Sequence, residues 1–315
     1  MIIVQNILKY DKQKDTALTI GTFDGVHIGH RMILNRLISH TKDTELKSTL
    51  LTFFPHPRIV LQKDSDIKLL TTIDEKTKIL ESLGLDILIV HPFTKEFSRL
   101  SAIEFVRDLL VNKLQAKKIV IGYDHRFGRN RNANINDLIG YGTTFGFEVD
   151  EIPAQEIDEI SVSSTKIRRA LEDGDVATAN SYLGYPYMLT GIVTKGKGIG
   201  RQLNFPTANL FIEESYKLIP KNGVYIVNAT INNKVVSGMM NIGYNPTVNG
   251  LQNQPGGRQG KIEVHFFNFN QDLYDQTIQV NILHRIRDEH KFDSVEALKK
   301  QLEKDRETSI SFLSD

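Results

Sequence analysis

Two glycine-rich segments of this sequence carry residue types that bind phosphate groups. The first is Gly21-Thr-Phe-Asp-Gly-Val-His-Ile-Gly-His30, and the second is Gly196-Lys-Gly-Ile-Gly-Arg-Gln-Leu-Asn-Phe-Pro-Thr-Ala-Asn209. They are too far apart in the chain to form one loop, and each lies in a segment with its own pattern of predicted elements. We therefore expect two nucleotide-using sites, and hence two consecutive reactions, in one polypeptide.

In the first segment, three glycines and two histidines indicate phosphate binding. Gly21, Gly25 and Gly29 would let the backbone approach a phosphate, and the helix N-terminus beyond them offers free N–H groups. His27 and His30 would direct imidazole N–H groups at the same anion. Adenylyl transfer needs the α-phosphate held in line and the developing charge stabilised, with no covalent intermediate. The alternatives are a glycine-rich turn with helix-capping histidines, or two metal-ligand histidines without an H-E-x-x-H carboxylate.

The second segment overlaps a stretch with the spacing of a Walker A loop. Residues Gly191-Ile-Val-Thr-Lys-Gly-Lys197 match G-x-x-x-x-G-K, but Gly198 stands where that loop needs Ser or Thr. The surrounding pattern is that of antiparallel strands with no helix following, so the sequence and its context both exclude a P-loop. What remains, from Gly198 to Asn209, is either a loop for nucleotide phosphates or a Pro-terminated β-turn.

Composition and charge are those of an ordinary globular protein. A length of 315 residues, 40% of them hydrophobic, suits two domains. A net charge of +1 gives no broad basic face, which disfavours nucleic acid as a partner. The absence of cysteine excludes disulfides, thiolate metal sites and cysteine nucleophiles, and it fits a reducing compartment. The start Met1-Ile-Ile-Val-Gln is too short for a signal peptide and no apolar segment is long enough to span a membrane, so we expect a cytoplasmic protein.

In the first half of the chain, short β-branched segments alternate with helical patterns, which predicts a parallel, doubly wound sheet. The predicted strands are residues 17–20, 48–54, 86–90, 118–121 and 147–152. One predicted helix has apolar residues at helical spacing, namely Ile33, Leu34, Leu37 and Ile38. Another opens with the capping box Ser101-Ala-Ile-Glu104 and is expected to carry these apolar residues on one side: Ile103, Val106, Leu109, Leu110 and Leu114. The first glycine-rich segment falls between a strand and a helix, at the edge of the sheet where ligands bind.

After residue 185 the pattern changes to antiparallel strands, which predicts a β-barrel or a sandwich. The predicted strands are residues 187–194, 223–231, 234–242, 261–269 and 277–283, with Asn232-Asn233 at a hairpin turn. A last helix is predicted with Asp293 as its N-cap and Glu296 three residues on. We therefore expect two domains, residues 1–185 and 186–315.

The motif that contains His27 and His30 resembles the H-x-G-H signature of the nucleotidylyltransferase superfamily. Its longer form resembles the adenylyltransferase module of prokaryotic bifunctional riboflavin kinase/FAD synthetases. Three other stretches resemble motifs of that module: Leu51-Thr-Phe-Phe-Pro-His-Pro57, Gly122-Tyr-Asp-His-Arg-Phe-Gly128 and Ser163-Ser-Thr-Lys-Ile-Arg168. The resemblance implies a Rossmann-like domain with a parallel sheet. It also implies that Arg168, whose guanidinium can bind phosphate with two hydrogen bonds, holds the pyrophosphate that leaves.

The resemblance further implies which residues contact each substrate in this domain. His27, His30 and Arg168 would act on the phosphates in catalysis, and Asp124 would contact the adenosine side. The remaining nucleotide-binding candidates are Gly21, Phe23, Asp24, Gly25, Gly29, Ser164 and Thr165. The flavin-binding candidates are Pro55, His56, Pro57 and Arg126. The chain departs from the family pattern at His125, usually Phe, and at Asn130 and Ala133, both usually Gly.

In the second half, residues 198–209 resemble the G-R-x-L-G-F-P-T-A-N loop of riboflavin kinases. The resemblance implies an antiparallel β-barrel domain with a closing helix. It implies nucleotide contacts from Gly198, Gly200, Arg201, Pro206, Thr207 and Asn209. Thr207 and Asn209 would also hold Mg²⁺, a hard cation that prefers oxygen ligands.

Residues 261–270 resemble the family strand that carries a catalytic glutamate, so Glu263 is the candidate to accept the proton of the substrate hydroxyl. Taken alone, a Glu on a strand is more often a solvated side chain. Asn241-Ile-Gly243 with Pro246-Thr247 resembles the family's N-I-G-x-x-P-T, which makes Asn241 a flavin-binding candidate. Arg287 with residues 291–296 resembles the flavin-side loop and closing helix, although Arg287 could instead pair with phosphate or cap a helix.

Three asparagines depart from the riboflavin kinase pattern. Asn268 and Asn270 stand where acidic residues are commoner, and Asn204 replaces the Gly before Phe-Pro-Thr. A Gly in a phosphate loop marks either a positive φ or a backbone pressed against the ligand. We favour positive φ at Asn204, which Asn tolerates well, and in that case kinase activity survives. If close approach is required instead, the barrel is a poor kinase.

The resemblances cover essentially the whole chain and predict a cytoplasmic bifunctional enzyme. Riboflavin would be phosphorylated by ATP to FMN in the C-terminal barrel, and FMN would then be adenylylated to FAD, with release of pyrophosphate, in the N-terminal domain. Mg²⁺ is expected at both sites, and the partners are these small molecules, with no nucleic acid, no membrane and an open oligomeric state. One alternative is an FAD synthetase whose degenerate barrel binds flavin passively. Another is a noncatalytic flavin-binding regulator.

Overall fold

The computed structural model describes residues 1–11, 14–62, 66–154, 156, 162–196, 199–243 and 261–314 of the chain. It divides into two compact units, the first comprising Met1–Leu69 and Ile73–Ser164, the second Leu70–Thr72 and Thr165–Asp315. The predicted boundary near residue 185 separates domains that are expected to fold independently of each other. This boundary stays a prediction. Across the described ranges, no helix is both long enough and apolar enough to cross a membrane.

The first unit is built on a parallel sheet. Its strands are β1 Ile2–Val4, β2 Thr16–Ile20, β3 Lys47–Phe54, β4 Ile87–Pro92, β5 Ala116–Gly122 and β6 Glu148–Ile152. Their order across the sheet is β1-β4-β3-β2-β5-β6, and every neighbouring pair is parallel. The chain changes direction across the sheet between β2 and β5, which creates the topological switch point where open α/β sheets bind ligands. The predicted parallel sheet is confirmed.

The central strands β2, β3 and β4 form because most of their β-branched and apolar residues are buried. Every residue of β2 is buried, and so is β4 from Ile87 to His91. Continuous burial of this kind is typical of parallel strands between two layers of helices. One core cluster includes Leu18 and Ile121 of the sheet together with Phe105 and Val106 of a covering helix.

The helices of the first unit are α1 Ile28–Ser39, α2 Pro57–Leu61, α3 Ile73–Ser82, α4 Ala102–Glu104 and α5 Ile135–Phe145. The predicted capping box is confirmed, because Ser101 Oγ accepts from Glu104 N–H and the Glu104 carboxylate accepts from Ser101 N–H. A π-helical segment, Phe105–Val111, continues α4. Val106, Leu109, Leu110 and Leu114 are buried as predicted, but the prediction for Ile103 was wrong, since it is 45% exposed. The π-helical geometry changes the number of residues per turn, so the period that placed Ile103 on the buried side does not hold.

The second unit is a closed antiparallel barrel, which decides between the predicted barrel and the predicted sandwich. Its strands are β7 Tyr187–Thr194, β8 Ala208–Phe211, β9 Gly223–Ile231, β10 Lys234–Gly243, β11 Lys261–Phe266 and β12 Thr277–Arg287. They follow one another around the barrel in the order β10-β11-β8-β7-β12-β9. Successive side chains of a β-strand point to opposite faces of the sheet. In β11, Ile262, Val264 and Phe266 are buried, and the residues between them are half-buried.

The chain around the barrel also contains helices α6 Ser164–Asp173, α7 Val176–Leu183, α8 Ile199–Gln202 and α9 Val295–Ser314. The predicted hairpin turn is confirmed, because Asn232 and Asn233 have φ of 50° and 61°, both in the left-handed region that a two-residue turn requires. The Asp293 N-cap was wrong. Ser294 Oγ instead accepts from Ala297 N–H at 3.1 Å, so the cap lies one residue later.

Candidate active sites

The residues predicted to bind substrates in the first unit meet at the carboxyl edge of its sheet. Residues 21–27 follow β2, residues 55–57 follow β3, and residues 123–128 follow β5. Because β2 lies between β3 and β5, these segments are neighbours at the switch point. The sheet therefore brings together motifs that are far apart in the sequence.

The turn after β2 holds its backbone in a strained conformation. Phe23, Gly25 and Val26 have φ of 44°, 81° and 38°, in the left-handed region that glycine adopts most easily. Strain in residues other than glycine persists only where the surroundings enforce it, and it clusters at functional sites. Gly25 is therefore needed for its φ. At Gly21 the limit is space, since an added Cβ would lie 3.0 Å from the Phe23 ring.

His27 and His30 stack on each other at the start of α1. Their ring centroids are 3.6 Å apart, and the ring of Phe23 lies 4.7 Å from that of His30. His27 is also the N-cap of α1, because its Nδ1 accepts from the N–H of His30 at 3.3 Å. The helix-capping alternative thus describes part of its role. Since Nδ1 accepts, the proton of neutral His27 lies on Nε2, which is then a donor. At Gly29 an added Cβ would lie 3.4 Å from this ring, an ordinary van der Waals contact, so the described contacts do not require glycine there.

His30 is half-buried at this same turn, and its Nδ1 atom is buried. Burial lowers its pKa well below the usual value, and the nearby charges of His27 and Lys76 lower the pKa further. Its Nδ1 has no hydrogen-bond partner among the residues that the structure describes. A buried polar atom without a partner is costly, and such atoms call for an explanation such as a missing ligand. This observation supports a ligand-binding role for His30.

Ser164 connects the Ser163-to-Arg168 motif with the turn after β2. Its Oγ donates to the carbonyl of Asp24 at 3.0 Å, and the side chain of Asp24 is itself buried. Thr165 and Arg168 come next on α6, within the second compact unit. Their contacts with phosphate stay predictions.

The segment after β5 explains one departure from the family pattern. His125 is half-buried, its Nε2 has no hydrogen-bond partner within the described ranges, and its ring lies nearly parallel to that of Phe127. Burial lowers the pKa of His125 to about 4. The ring is therefore neutral at pH 7 and serves as an aromatic side chain where the family has Phe. Asp124 and Arg126 on either side are exposed.

The other two departures in this segment have local explanations. Asn130 has a φ of 55°, a conformation that suits the glycine of the family and that Asn tolerates. Ala133 forms an isolated antiparallel bridge with Phe127. The loop after β5 is therefore closed by backbone pairing despite the changed residues.

Three of the four flavin candidates of the first unit, all except Arg126, lie at the start of α2. His56 is the N-cap of this helix, since its Nδ1 accepts from Arg58 N–H at 3.2 Å. Pro57 is the first helical residue, a position that suits proline because no N–H is needed there. Pro55 is exposed. The structure shows these local roles, and flavin contacts stay predictions.

Lys76 is a residue near this site that the sequence analysis missed. It lies on α3, is 4% exposed, and donates from Nζ to the carbonyl of Thr22 at 2.6 Å. Lys78 on the same helix is exposed. The one signal in the sequence is spacing, because Lys76 stands three and four residues before the buried Ile79 and Leu80.

In the barrel, the predicted kinase residues Asn209, Glu263 and Asn241 lie side by side. Glu263 on β11 is paired in register with Asn209 on β8 and with Asn241 on β10. Residues directly opposite each other on neighbouring strands have side chains on the same face. These three side chains therefore share one half-buried patch. Thr207 directly precedes β8.

Glu263 is held by a neighbouring charge. Lys261 Nζ lies 2.6 Å from Glu263 Oε1, and both side chains are about 30% exposed, at 30% and 28%. The carboxylate is therefore neither buried alone nor freely solvated. The Glu263 carboxylate can exchange its hydrogen bond with Lys261 for one with a substrate hydroxyl.

The phosphate-loop segment before β8 ends α8 in a Schellman motif. Phe205 N–H donates to the Gly200 carbonyl at 2.8 Å, and Asn204 N–H donates to the Arg201 carbonyl at 3.3 Å. This motif requires a left-handed residue after the helix, and Asn204 supplies it with a φ of 64°. The positive-φ interpretation of Asn204 is confirmed. At Gly200 the need for glycine has a different cause, because an added Cβ would lie 2.3 Å from the chain's own Phe205 carbonyl oxygen.

The end of this loop is fixed to the barrel. His265 Nδ1–H on β11 donates to the Pro206 carbonyl at 2.8 Å, and burial lowers the pKa of His265. Arg201 is exposed. Gly198 and the Pro246-Thr247 pair lie outside the described residues.

Arg287 on β12 forms a buried ion pair with α9. Its guanidinium donates to both carboxylate oxygens of Asp305, at 3.0 Å from Nε and 2.7 Å from Nη2. Asp305 is 1% exposed. The structure thus shows a role in holding the closing helix, and the predicted flavin contact of Arg287 stays a prediction.

Comparison with known proteins identifies both halves. The chain matches the family models described as FAD synthetase, at residues 9–166, and riboflavin kinase, at residues 183–313. The bifunctional riboflavin kinase/FMN adenylyltransferase of Buchnera aphidicola subsp. Schizaphis graminum is 38% identical over 306 residues, covering 96% of this chain and 95% of the relative. The Bacillus subtilis protein of the same description is 36% identical over 311 residues, covering 97% and 95%.

A solved structure shares the whole fold. The crystal structure described as a macrolide-efflux protein from Streptococcus pneumoniae superposes with a TM-score of 0.86 at 32% identity, and 98% of each chain is covered. A parallel sheet with an H-x-G-H turn, followed by a closed barrel with a P-T-A-N loop, defines a two-part nucleotide-using flavin enzyme. The chain belongs to the bifunctional riboflavin kinase/FMN adenylyltransferase family. The predicted fold class and the predicted bifunctional enzyme are confirmed.

Proposed function

We propose that the chain converts riboflavin to FAD in two steps, each at one of the two residue clusters described above. The barrel cluster around Glu263 transfers the γ-phosphate of ATP to riboflavin. The cluster around His27 and His30 then joins the resulting FMN to the AMP part of a second ATP. The observation that carries this proposal is the strand register that aligns Glu263 with Asn209 and Asn241 in the barrel, and it is supported by the stacked rings of His27 and His30 at the edge of the sheet.

In the barrel, Glu263 is the base. Its carboxylate takes the proton of the primary hydroxyl of riboflavin as that oxygen bonds to the γ-phosphorus, the bond from the γ-phosphorus to the bridging oxygen breaks, and ADP leaves. The half-buried position beside Asn209 supports this role, because Asn209 ends the segment that resembles the ATP-binding loop of riboflavin kinases. Lys261 must give up its ion pair with Glu263 as substrate binds.

At the sheet edge, the chain supplies donors and no nucleophile. A phosphate oxygen of FMN bonds to the α-phosphorus of ATP, the bond to the β-phosphate breaks, and pyrophosphate leaves. His27 Nε2–H, His30 and the N-terminus of α1 would stabilise the charge that develops on the phosphoryl oxygens. Arg168 and Thr165 would hold the pyrophosphate, with Gly21, Gly25 and Gly29 shaping the turn.

The residues of the barrel fit a bound Mg²⁺. Thr207 and Asn209 offer oxygen donors, and Glu263 lies opposite Asn209. No group of three or more His, Cys, Asp or Glu side chains in the described ranges could hold a metal. Mg²⁺ would therefore bind together with ATP, whose phosphates complete its coordination, as is usual for this ion. When bound, it neutralises charge on the phosphates.

We further propose that the enzyme works in the cytoplasm. The lack of cysteine suits a reducing compartment, and both reactions use ATP. Its partners are then its small-molecule substrates and products, riboflavin, FMN, FAD and ATP, with neither nucleic acid nor a membrane involved.

Chromatography of the flavins tests the proposal. The full chain is incubated with ATP and Mg²⁺, and with either riboflavin or FMN, and each reaction is repeated with EDTA in excess. We expect FMN and then FAD from riboflavin, FAD and pyrophosphate from FMN, and neither product with EDTA. FAD from FMN without any product from riboflavin would contradict the kinase role of the barrel. No product from either flavin would contradict both roles, and full rates in EDTA would contradict the role of Mg²⁺.

A further inference from the structure

Lys76 is a buried charge that the mechanism above does not use. It lies on α3, outside every motif that indicated function, and its side chain reaches the turn after β2. Its Nζ donates to the carbonyl of Thr22 at 2.6 Å, and the hydroxyl of Thr52 on β3 donates to the same carbonyl at 3.2 Å. Two donors thus fix one peptide group immediately before the strained residue Phe23.

Fixing that carbonyl fixes the entrance to the strained turn. The C=O and N–H of a trans peptide point in opposite directions, so the direction of the Thr22 carbonyl also sets that of the Phe23 N–H. Phe23 follows with a φ of 44° and places its ring 4.7 Å from that of His30. Strained residues hold their conformation only where neighbouring contacts enforce it. The Lys76 and Thr52 bonds are contacts of this kind.

The charge of Lys76 also acts on the site. The carboxylate of Asp24, in the turn, raises the pKa of Lys76. The ammonium of Lys76 in turn lowers the pKa of His30 on α1. Burial lowers the pKa of Lys76 to about 8, against which the Asp24 carboxylate acts. Lys76 is therefore mostly charged at pH 7 and loses its proton as the pH rises above 8. His30, with its lowered pKa, stays neutral over that same interval.

We propose that Lys76 is a positioning residue for adenylyl transfer, whose ammonium holds the Thr22 carbonyl and thereby keeps Phe23 and His30 in place for the nucleotide phosphates. A purely structural lysine is the competing explanation. Removing one charge beside the buried Asp24 carboxylate costs stability under either explanation. The two explanations therefore differ in the activity of the variant that remains folded, which is a poor catalyst only if Lys76 is a positioning residue.

Three variants of the full chain test this, with FAD formation from FMN as the readout. Lys76→Met removes the charge and the donor at similar volume. We expect its melting temperature to fall, because Asp24 stays buried without the ammonium, while kcat of the folded variant for FAD formation falls about 10²-fold, the loss expected from misplacing reacting groups. Thr52→Val removes only the second hydrogen bond to the Thr22 carbonyl. We expect its fall in kcat to be less than a tenth of the fall in Lys76→Met. A folded Lys76→Met protein with FAD formation close to that of the parent would overturn the proposal.

Lys76→Arg supplies a readout that a structural role would not move. In the parent, kcat/KM for FAD formation should fall as the pH rises above about 8, because Lys76 loses its proton. Arg keeps its charge there, so this fall should disappear in Lys76→Arg even if its rate at pH 7 is lower. The same fall in kcat/KM above pH 8 in the parent and in Lys76→Arg would overturn the proposal. This test does not depend on whether Lys76→Met folds.

The inference rests on the proposed role of His30, and one comparison separates the two. His30→Ala tests that role directly, since an unchanged rate of FAD formation in this variant would contradict the assignment of His30. The pH profile of Lys76→Arg is measured against the parent alone, so its outcome stands whatever His30→Ala shows.

Discussion

Glu263 lies directly opposite Asn209 in the antiparallel pair of β11 and β8. The two residues come from segments that are 54 positions apart in the sequence, and each was singled out by a different motif. Their pairing places the proposed base next to the proposed ATP and Mg²⁺ ligand without any rearrangement of the strands. The barrel therefore supplies the geometry of the proposed kinase site through its register.

Replacing Glu263 with Gln should slow the kinase reaction selectively. Gln keeps the size and hydrogen-bonding ability of Glu but cannot accept a proton, so FMN formation from riboflavin should fall by about 10² to 10⁴. FAD formation from FMN should persist. The matched control is Lys261→Gln, which breaks the same ion pair but keeps the carboxylate and should lose far less. Equal losses in the two variants would mean that the ion pair, and not the proton acceptor, matters.

Replacing Asn204 with Gly should change kinase activity by no more than a few-fold. The structure gives Asn204 a φ of 64° as the left-handed residue of the Schellman motif, which is a place for Gly or Asn. Thermal unfolding and FMN formation measure the effect. Asn204→Ala is the control, since Ala adopts this φ only at a cost of about 1 kcal/mol or more and should destabilise the protein. A gain of ~10² in the kinase rate of Asn204→Gly would show that the side chain had blocked the site. A change of this magnitude equals the effect of one catalytic hydrogen-bond donor.

Replacing His125 with Phe should reduce the loss of stability in acid. The pKa of His125 is about 4 in the folded protein and 6.5 as its ordinary value. Between these pH values the unfolded chain binds more protons, so the folded state loses stability as the pH falls from 6.5 towards 4. Phe does not titrate and leaves no buried nitrogen without a partner. Melting temperatures across this interval, compared with the exposed-site control His290→Gln, measure the effect, and an unchanged pH dependence in His125→Phe would contradict the assignment.

Local signals in the sequence predicted most of what positions the two sites. The central parallel strands β2, β3 and β4 consist mostly of buried apolar and β-branched residues, and clear helical patterns separate the strands in the sequence. Asn204 was predicted to have a positive φ from a single substitution in a motif, because the constraint is a property of one residue. The hairpin at Asn232-Asn233 follows from turn chemistry in the same way.

Features that depend on distant contacts were missed. Strand β8 is short and lies within the Phe-Pro-Thr-Ala-Asn motif, so it was taken as loop, and only its pairing with β11 and β7 makes it a strand. Lys76 has a charge that predicts an exposed side chain, and its partner Thr22 is 54 residues away. The prediction that Ile103 is buried was wrong because the sequence carries no signal for the π-helical segment that follows it.

A mixing experiment with two full-length variants tests the central claim, that each reaction belongs to its own cluster, most directly. His30→Ala should form FMN from riboflavin but lose FAD formation by about 10² or more, the effect of one preorganised donor. Glu263→Gln should form FAD from FMN but little FMN from riboflavin.

With riboflavin, ATP and Mg²⁺, neither variant alone should then yield much FAD, whereas the two mixed in one tube should restore it, because FMN made by one is used by the other. The measurement is the FAD yield of the mixture relative to each variant alone. Restored FAD is the result that the account predicts. Loss of both reactions in either variant, or no FAD from the mixture, would contradict it.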